Sequence, residues 1–431
     1  MLHSSRRAFL GASVAGLFAG SAFGVDEPAI PASKFNPAEI TFNPSTLFLT
    51  WQSDPTTTMT IQWIGTRGET PDTNIYYAPA ATSDWWWAWN KKAPILKPYG
   101  QTDFKVYRAE LTGLHPGKDY LFRIGKSSPV WRFRTMPAKS TNEISFISGG
   151  DCGVNPHTVA NNIQAARQDP SFAVIGGDLA YENGRSADTH LTFLKNYSRT
   201  MIAKDGRLIP MLACLGNHEV DGGYNKPREK APFFYALFDG LFDDTSYATL
   251  DFGEYLSLVL LDTGHNSPIE GEQTHWLEDV LKHRESHPNV FVVGHVPAYP
   301  SFRKATAEKG KEGTGTGEAN RKHWVPLFEK YRVPVVLEHH DHTFKRTKPL
   351  VDGLGDDNGV LYLGDGSWGR QRAPQKPEKL SYLAASSAAY HLSLHRIQGE
   401  QRYHLALDED GRVMDVSHTA QRKKGIAKLS D

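Results

Sequence analysis

The chain has 431 residues, of which 39% are hydrophobic and 11% aromatic, enough for a buried core and about two or three domains. Its 48 lysines and arginines balance 48 aspartates and glutamates, so the net charge gives no reason to expect a nucleic-acid or membrane-surface partner. The two cysteines, Cys152 and Cys214, are too few for a disulfide framework; we expect buried thiols, with a bridge between them left open.

The first residues have the features of an export signal. Ser4 to Leu10 includes the pair Arg6 and Arg7, and an apolar stretch rich in Ala and Gly follows up to Phe23. This pattern predicts a twin-arginine signal over residues 1–24, cleavage near Gly24, and a periplasmic or secreted protein. The apolar stretch is shorter than the ~20 residues of a membrane-spanning helix. No later run is long and apolar enough to cross a bilayer, so we expect no membrane anchor after signal removal.

Short strands separated by turn residues are predicted between residues 35 and 137. Three of them are Leu47–Trp51, Met59–Trp63 and Tyr120–Ile124, and the region contains no long amphipathic helix, which favours an all-β sandwich. The turn at Pro116–Gly117, followed by the strand from Tyr120, resembles the tyrosine-bearing edge of a fibronectin type III module. A hairpin with a Pro-Gly turn is the alternative.

Four tryptophans lie close together within this first region. They are Trp85, Trp86, Trp87 and Trp89. We expect them to pack at a domain interface, and the alternative is that they stack a base or a sugar over the functional site.

From residue 143 to residue 420 the pattern changes to alternating strands and helices. Buried strands are predicted at Ile144–Ile147, Phe172–Ile175, Leu208–Leu215, Leu256–Leu261, Val290–Val293, Val333–Leu337 and Val360–Leu363. Helices are predicted at Val159–Arg167, Leu191–Ile202, Gln273–His283 and Val325–Tyr331, and a loop at Lys309–Glu318. The alternation indicates an α/β domain with its ligands at the carboxyl ends of strands. Alternating residues from Tyr390 to Ser417 predict further strands of the same domain.

Five short motifs carry metal-ligand side chains at the ends of these strands. They are GDCG at Gly150–Gly153, GDLAY at Gly177–Tyr181, GNHE at Gly216–Glu219, VVGH at Val292–His295 and HHDH at His339–His342. Carboxylate, amide oxygen and imidazole in this number are sufficient for two metal ions. A lone Gly-Asp is usually a turn, and Gly364-Asp365-Gly366, which has no partner ligand in register, is interpreted as one.

The remaining candidates each have a structural alternative. Tyr181 follows Asp178 by three residues and can reach the same metal, although a buried core tyrosine is the alternative. Asn217 offers a carbonyl oxygen and His218 an acid or a phosphate contact, whereas a helix cap and a surface imidazole are the alternatives. His340 and His342 alternate, which in an extended segment places both imidazoles on one side.

The order of these motifs resembles the purple acid phosphatases, a branch of the calcineurin-like metallophosphoesterases. The resemblance implies an α/β fold, a metallophosphoesterase β-sandwich flanked by helices, preceded by an all-β fibronectin type III-like domain. It implies Fe(III) bound by Asp151, Asp178, Tyr181 and His342. A second divalent metal, Fe, Zn or Mn, is then held by Asn217, His295 and His340, with Asp178 bridging and His218 near the leaving group.

The expected function is a binuclear phosphomonoesterase that hydrolyses a small-molecule phosphate ester through a metal-bound hydroxide. A phosphodiesterase or nucleotidase on the same metal centre is the first alternative, and a non-catalytic binding protein is the second. Two features depart from the family pattern. His339 replaces the glycine before His-x-His and offers a competing imidazole. Arg303 and Lys304 follow the fourth motif, where some members of the family place histidines, and they are candidate substrate contacts or solvated loop charges.

Overall fold

The computed structural model describes residues 42–65, 70–82, 85–141, 144–307, 309–310, 313–364 and 366–420. All of these residues belong to one compact unit of the chain. The predicted export signal at residues 1–24, and residues 35–41 of the predicted sandwich, lie outside the described residues. Within the described ranges no helix is both long enough and apolar enough to span a bilayer.

The first part of the described chain is all-β. Its strands are β1 (Phe48–Thr50), β2 (Met59–Gly65), β3 (Ile75–Pro79), β4 (Asn90–Lys92), β5 (Ile95–Pro98), β6 (Lys105–Leu111), β7 (Asp119–Ile124) and β8 (Trp131–Arg134). They form two antiparallel sheets, ordered β1-β2-β6-β5 and β4-β3-β7-β8. Buried aromatic side chains such as Trp63 and Phe122 fill the space between the sheets. The predicted all-β domain is therefore confirmed.

Tyr120 gives this domain its resemblance to a fibronectin type III module. The phenol oxygen of Tyr120 accepts a hydrogen bond from the backbone N–H of His115 at 2.8 Å. This bond spans the turn that contains Gly117, whose φ of 66° favours glycine. The predicted tyrosine-bearing edge thus has the geometry of a tyrosine corner.

The tryptophan cluster was predicted to pack at a domain interface, but two of its rings are exposed. Trp85 and Trp87 are 70% and 62% exposed, and they stack on each other with ring centroids 5.1 Å apart. Trp86 packs edge-on against Tyr76, with the guanidinium of Arg123 4.6 Å from its ring centroid. The interface prediction is wrong for Trp85 and Trp87, because their rings face solvent or each other.

The second part of the chain contains two large sheets and the helices. Its strands are β9 (Ser145–Gly149), β10 (Phe172–Ile175), β11 (Met211–Ala213), β12 (Ala248–Phe252), β13 (Leu256–Leu260), β14 (Val290–Val293), β15 (Val335–Glu338), β16 (Phe344–Thr347), β17 (Leu350–Val351), β18 (Leu354–Gly355), β19 (Leu361–Gly364), β20 (Leu383–Ser387), β21 (His391–Gln398), β22 (Gln401–Asp408) and β23 (Val413–Ala420). Its α-helices are α1 (Pro156–Arg167), α2 (Ala187–Thr200), α3 (Pro232–Phe238), α4 (Glu272–His283), α5 (Glu318–His323) and α6 (Val325–Lys330).

Parallel strands form the centre of both sheets. One sheet has the order β11-β10-β9-β21-β22-β23, and the other has the order β12-β13-β14-β15-β19-β16-β20. Strands β9, β10 and β11 run parallel to one another, as do β13, β14, β15 and β19. Phe146 of β9 meets Phe291 of β14 edge-on at 5.0 Å between ring centroids, so the two sheets share one core. The predicted α/β sandwich flanked by helices is confirmed.

The two parts of the described chain are joined by a buried arginine. Arg108 of β6 is 4% exposed, and it donates hydrogen bonds to the carbonyl oxygen of Leu237 at 2.8 Å and to Asp239 Oδ1 at 2.7 Å. Both acceptors lie at the end of α3. Gln62 of β2 also donates to the Leu237 carbonyl at 3.0 Å. Polar contacts therefore fix α3 against the face of the first domain.

Candidate metal centre

The five predicted motifs all follow parallel strands. Three of them begin just after β9, β10 and β11 in one sheet, and the other two extend beyond β14 and β15 in the second sheet. Because the two sheets pack face to face, the carboxyl ends of these strands meet at one edge. Ligand atoms of Asp151, Asp178, His295 and His340 lie within 4.8 Å of one another there.

One group of donors comes from Asp151, Tyr181 and His342. The Tyr181 hydroxyl donates to Asp151 Oδ1 at 3.0 Å and lies 2.9 Å from His342 Nε2. His342 Nε2 is also 2.9 Å from Asp151 Oδ1. A carboxylate, a phenol and an imidazole therefore converge with their donor atoms in mutual contact.

A second group of donors comes from Asn217, His295 and His340. His295 Nε2 lies 3.2 Å from Asn217 Oδ1 and 3.1 Å from His340 Nδ1. The other ring nitrogen of His295, Nδ1, donates to the carbonyl of Gly176 at 2.9 Å. This bond fixes the tautomer and leaves Nε2 as the nitrogen available to a metal.

Asp178 belongs to both groups. Its Oδ1 accepts the backbone N–H of His218 at 2.8 Å, and its Oδ2 lies 3.4 Å from His295 Nε2. Oδ2 is buried and has no hydrogen-bond partner among the described residues. A buried carboxylate oxygen without a hydrogen bond is costly, and a cation between the two groups would satisfy it.

Backbone strain is concentrated at these ligands. Positive φ angles occur at Asp151 (56°), Asp178 (54°), Tyr181 (65°), His340 (71°) and His342 (58°). Non-glycine residues rarely adopt this conformation, and residues that do adopt it cluster at functional sites. The interpretation of His340–His342 as extended is therefore wrong. Each histidine turns to a different group of donors, since His342 contacts Tyr181 and His340 contacts His295.

Glu219 holds two ligand loops together through hydrogen bonds to their backbone, a role that the sequence did not indicate. Its carboxylate accepts backbone N–H groups of Asp178 at 2.8 Å, Leu179 at 2.6 Å and Gly216 at 2.7 Å. These donors belong to the loops after β10 and β11. The only sequence signal was the place of Glu219 as the last residue of GNHE.

His339 belongs to neither donor group. Its Nδ1 lies 2.9 Å from the Gly294 carbonyl oxygen, and its ring packs on Gly150 and Gly176. A Cβ added to Gly176 would come within 1.9 Å of His339 Cε1. The imidazole thus fills a slot that two glycines leave open beneath the ligand loops. His339 has no positive φ, so this position does not require glycine.

His218 lies at the edge of the centre with one nitrogen directed inward. Its Nδ1 is hydrogen-bonded to the side-chain oxygen of Asn183, so Nε2 faces Asp178 Oδ2 at 4.0 Å. Burial lowers the pKa of His218, an effect that nearby Asp178 partly opposes. Asn183 was not among the predicted site residues. Because the Asn183 oxygen accepts from Nδ1–H, the Nε2 that faces the donors carries a proton only when the ring is charged.

Arg303 contacts the centre through the backbone. Its Nη1 donates to the carbonyl of His340 and lies 2.9 Å from Asp341 Oδ1, so the side chain braces the His-x-His turn. Lys304 is exposed, and its carbonyl accepts the backbone N–H of Thr316 at 3.0 Å. Tyr224 is a further neighbour that the sequence did not indicate, with its hydroxyl 3.3 Å from His340 Nε2.

Gly366, the last residue of Gly364-Asp365-Gly366, is also next to the centre. Asp365 lies outside the described residues. Gly366, with φ 70°, faces the first donor group, and a Cβ there would come within 2.4 Å of Asp151 Oδ2. Only glycine fits this contact, so Gly366 packs directly against the Asp151 carboxylate.

The donor set fits a pair of metal ions. Burial would raise the pKa of Asp178, but the adjacent His295, His218 and His340 hold it well below its usual value, so the carboxylate is ionised. Burial and the carboxylates of Asp151 and Asp178 raise the pKa of Tyr181 well above its usual value. A phenolate at Tyr181 therefore requires a strongly charged cation beside it.

Both cysteines are thiols. Cys152 and Cys214 are free and buried, and burial raises the pKa of Cys214. A bridge between them, which the sequence left open, is absent. Neither cysteine therefore offers an exposed thiolate.

Family models match two consecutive parts of the chain. The N-terminal domain of purple acid phosphatases matches residues 44–135, and the calcineurin-like phosphoesterase domain matches residues 150–344. A solved purple acid phosphatase from yellow lupin seeds shares the fold, with a TM-score of 0.68 at 15% identity over 87% of this chain and 74% of that one. A solved structure of PhoD has a TM-score of 0.64 at 13% identity, over 89% of this chain and 91% of that one.

Two curated relatives are named as acid phosphatases. Purple acid phosphatase 21 of Arabidopsis thaliana is 27% identical over 63% of this chain and 62% of its own length. Acid phosphatase type 7 of Mus musculus is 24% identical over 72% of this chain and 76% of its own length. The chain spans less than two thirds of the length of purple acid phosphatases 21 and 22 of Arabidopsis thaliana, which it covers over 62% and 64%.

The sheets and the donor groups at their edge define a calcineurin-like metallophosphoesterase fold. Within this class, the match to the N-terminal domain of purple acid phosphatases and the two acid phosphatase relatives indicate one family. The chain belongs to the purple acid phosphatase family. That family implies a binuclear metal centre, and the Asp and His cluster at the sheet edge is suited to hold one.

Proposed function

We propose that this protein is a binuclear metal-dependent phosphomonoesterase. The observation that carries the proposal is the arrangement of seven donors in two groups that share Asp178. Such an arrangement is typical of two-metal sites that transfer phosphoryl groups to water. The family match supports the same class of reaction.

The two groups differ in chemistry and therefore in metal preference. Asp151, Tyr181 and His342, with Asp178, would hold Fe(III), because a phenolate and two carboxylates are hard, anionic donors. Asn217, His295 and His340 would hold a divalent ion, Fe, Zn or Mn, since two imidazoles and an amide oxygen carry no charge. When bound, the metals would activate water and neutralise charge on the phosphoryl oxygens.

His218 is the residue we assign to the leaving group. Asn183 holds its Nδ1, so the Nε2 that faces the centre can hold a proton and pass it to the departing oxygen. Lowering of its pKa by burial makes that proton easier to give up. We assign no nucleophilic role to the thiols, because both are buried.

The first test joins metal analysis, a visible spectrum and substrate assays on the purified protein. We expect iron, a visible absorption band that the Tyr181→Phe variant loses, and faster hydrolysis of p-nitrophenyl phosphate than of bis(p-nitrophenyl) phosphate. A colourless protein loaded with two other metals would overturn the Fe(III) assignment. Faster hydrolysis of the diester would favour the alternative, and no hydrolysis of either ester would overturn the phosphatase proposal.

A variant of His218 tests the assignment of this residue to the leaving group. His218→Ala should lower kcat by about 10²-fold or more, in the range of general acid catalysis, without loss of metal. His283→Ala changes an exposed histidine at the end of α4 and is the matched control. An unchanged kcat in His218→Ala would remove that residue from the mechanism.

We also propose that the protein is exported by the twin-arginine route. The sequence pattern around Arg6 and Arg7 supports this location. Expression of the full chain in a bacterial host, followed by fractionation and mass determination, tests it. We expect a mature form that begins near Gly24 outside the cytoplasm and retention of an Arg6→Lys, Arg7→Lys variant. Equal export of that variant would exclude the route.

A further inference from the structure

Two arginines next to the metal centre have no carboxylate partner among the described residues. They are Arg370 and Arg372, in the segment of residues 366–375 after β19. Arg303, by contrast, lies 2.9 Å from Asp341 Oδ1, and Arg185 donates to Asp221 Oδ1 at 2.7 Å. Cations without an anionic partner beside a catalytic centre indicate a site for an anion from solution.

The backbone around these two arginines is fixed to the ligand loops. The N–H of Gly369 donates to the carbonyl of Asp151 at 3.1 Å, and the N–H of Arg372 donates to the carbonyl of His342 at 2.7 Å. Asn155 Nδ2 donates to the carbonyl of Gly369 at 2.6 Å. Arg370 therefore lies on a segment tied on both sides to residues of the first donor group, which holds it at the mouth of the centre.

The side chain of Arg370 is held by stacking. Its guanidinium carbon lies 4.2 Å from the centroid of the Tyr181 ring, and the residue is exposed. Among the described residues its N–H groups have no acceptor. A planar guanidinium fixed on one face and free at its edge suits bidentate binding of phosphoryl oxygens.

Arg372 is held further from the donors by another ring. Its guanidinium carbon lies 5.0 Å from the centroid of Phe302, which is 39% exposed. The backbone N–H of Phe302 donates to Asp341 Oδ2 at 2.8 Å, so this ring belongs to the loop that braces the His-x-His turn. Arg372 and Phe302 together form a cationic and aromatic surface just outside His342.

On the basis of the proposed phosphatase function, we propose that Arg370 binds the phosphoryl group and that Arg372 binds a second anionic group on the leaving group. The Arg372 N–H bond to the His342 carbonyl places this second arginine beside the same donor group, where it can meet a charge on the leaving group. The preferred class of substrate is therefore a phosphate ester whose leaving group carries a carboxylate or a further phosphate. Arg372 then determines specificity, and Arg370 contributes to every substrate.

The test compares phenyl phosphate with 4-carboxyphenyl phosphate, which adds one carboxylate to the leaving group. We expect the wild-type protein to prefer the carboxylated ester, and Arg372→Gln to lower the ratio of the two kcat/KM values about tenfold. Arg370→Gln should lower both values about tenfold while keeping their ratio. High salt should reduce the preference, since exposed charges are screened.

The control is Arg396→Gln. Arg396 is exposed and pairs with Ser145 at the opposite end of β9 from Asp151, so both kcat/KM values should match wild type.

Competition by orthophosphate and pyrophosphate gives a binding readout. Arg372→Gln should weaken the binding of pyrophosphate more than the binding of orthophosphate. If the wild-type protein hydrolysed neither ester, the phosphatase proposal itself would be overturned. Hydrolysis of both with an unchanged ratio in Arg372→Gln would overturn only this inference.

Discussion

The carboxylate of Glu219 accepts the backbone N–H of Asp178 at 2.8 Å, so a buried side chain holds the residue that lies between the two donor groups. Leu179 and Gly216 supply two more backbone donors at 2.6 and 2.7 Å. Glu219 is 0% exposed, and water does not replace these bonds. One residue therefore sets the distance between the loops after β10 and β11.

Replacing Glu219 by glutamine should disturb this junction. A glutamine has one acceptor oxygen and an NH₂ group that would face a backbone donor, which leaves buried N–H groups without partners. We expect a loss of about 2–4 kcal/mol in the free energy of unfolding and a lower metal content. Denaturant titration and metal analysis measure both. Exposed Glu254→Gln is the control, and wild-type values in Glu219→Gln would contradict this role.

Gly176 should not tolerate alanine, because of His339. A Cβ at residue 176 would come within 1.9 Å of His339 Cε1, and the ring is buried against Gly150 as well. We expect Gly176→Ala to cost about 2–4 kcal/mol. The φ of Gly176 is outside the positive range, so the cost is steric and not conformational.

A double variant separates steric conflict from other effects. His339→Ala alone removes a buried ring and should cost about 2–4 kcal/mol. If Gly176→Ala conflicts with that ring, the pair together should cost at least about 1 kcal/mol less than the sum of the two. Chemical denaturation of all three variants gives the coupling energy. Additive losses would show that His339 does not fill the slot at Gly176.

Hydrophobic runs predicted the strands that build the site. β10 and β14 have the predicted bounds, and β13 differs by one residue, because apolar residues buried on both faces leave a continuous signal. β11 is shorter than the predicted Leu208–Leu215, where Pro210 limits pairing. Helix α3 was missed because every position in Phe233–Phe238 is buried, so no amphipathic pattern is present.

The candidate metal ligands could be predicted from the sequence because each of them follows the end of a strand. The residues that contact these ligands could not be predicted in this way. Asn183, Tyr224 and Arg370 reach the centre through loops whose direction depends on tertiary contacts. The place of His339 in a slot between glycines likewise depends on the packing of two sheets. No local pattern predicts such contacts, which is why Arg370 and Arg372 were absent from the predicted substrate contacts.

The metal-free protein should lose stability as pH rises from about 6.5 to 9. Burial would lower the pKa of His295, but Asp178 outweighs it and raises that pKa to about 9. The folded state thus keeps a proton that the unfolded chain releases near 6.5. This contribution is complete below pH 6.5 and is lost through pH 9, on the order of 3 kcal/mol. His340, whose pKa burial lowers, is neutral in the folded state, and the unfolded chain releases its proton near 6.5, so it adds no slope above about pH 7.5.

Thermal unfolding of the metal-free protein across this pH range measures the slope. Metal affinity should rise over the same range, about tenfold per pH unit for each proton released. The metal-loaded protein should show a much smaller slope, because the ligands are then deprotonated. A flat profile in the metal-free protein would contradict the protonation of His295.

Arg108 should stabilise both parts of the described chain at once. Its guanidinium donates to the Leu237 carbonyl at 2.8 Å and to Asp239 Oδ1 at 2.7 Å while it is 4% exposed. Arg108→Met keeps the volume but removes the donor to the Ala236 carbonyl at 3.0 Å and one of the two donors to the Leu237 carbonyl. We therefore expect a loss of about 2–4 kcal/mol in a single unfolding transition. Asp239→Asn is the matched control, since Asp239 is partly exposed and its loss should cost about 1 kcal/mol or less. Equal losses in the two variants would mean that the ion pair, and not the bond to the helix end, stabilises the interface.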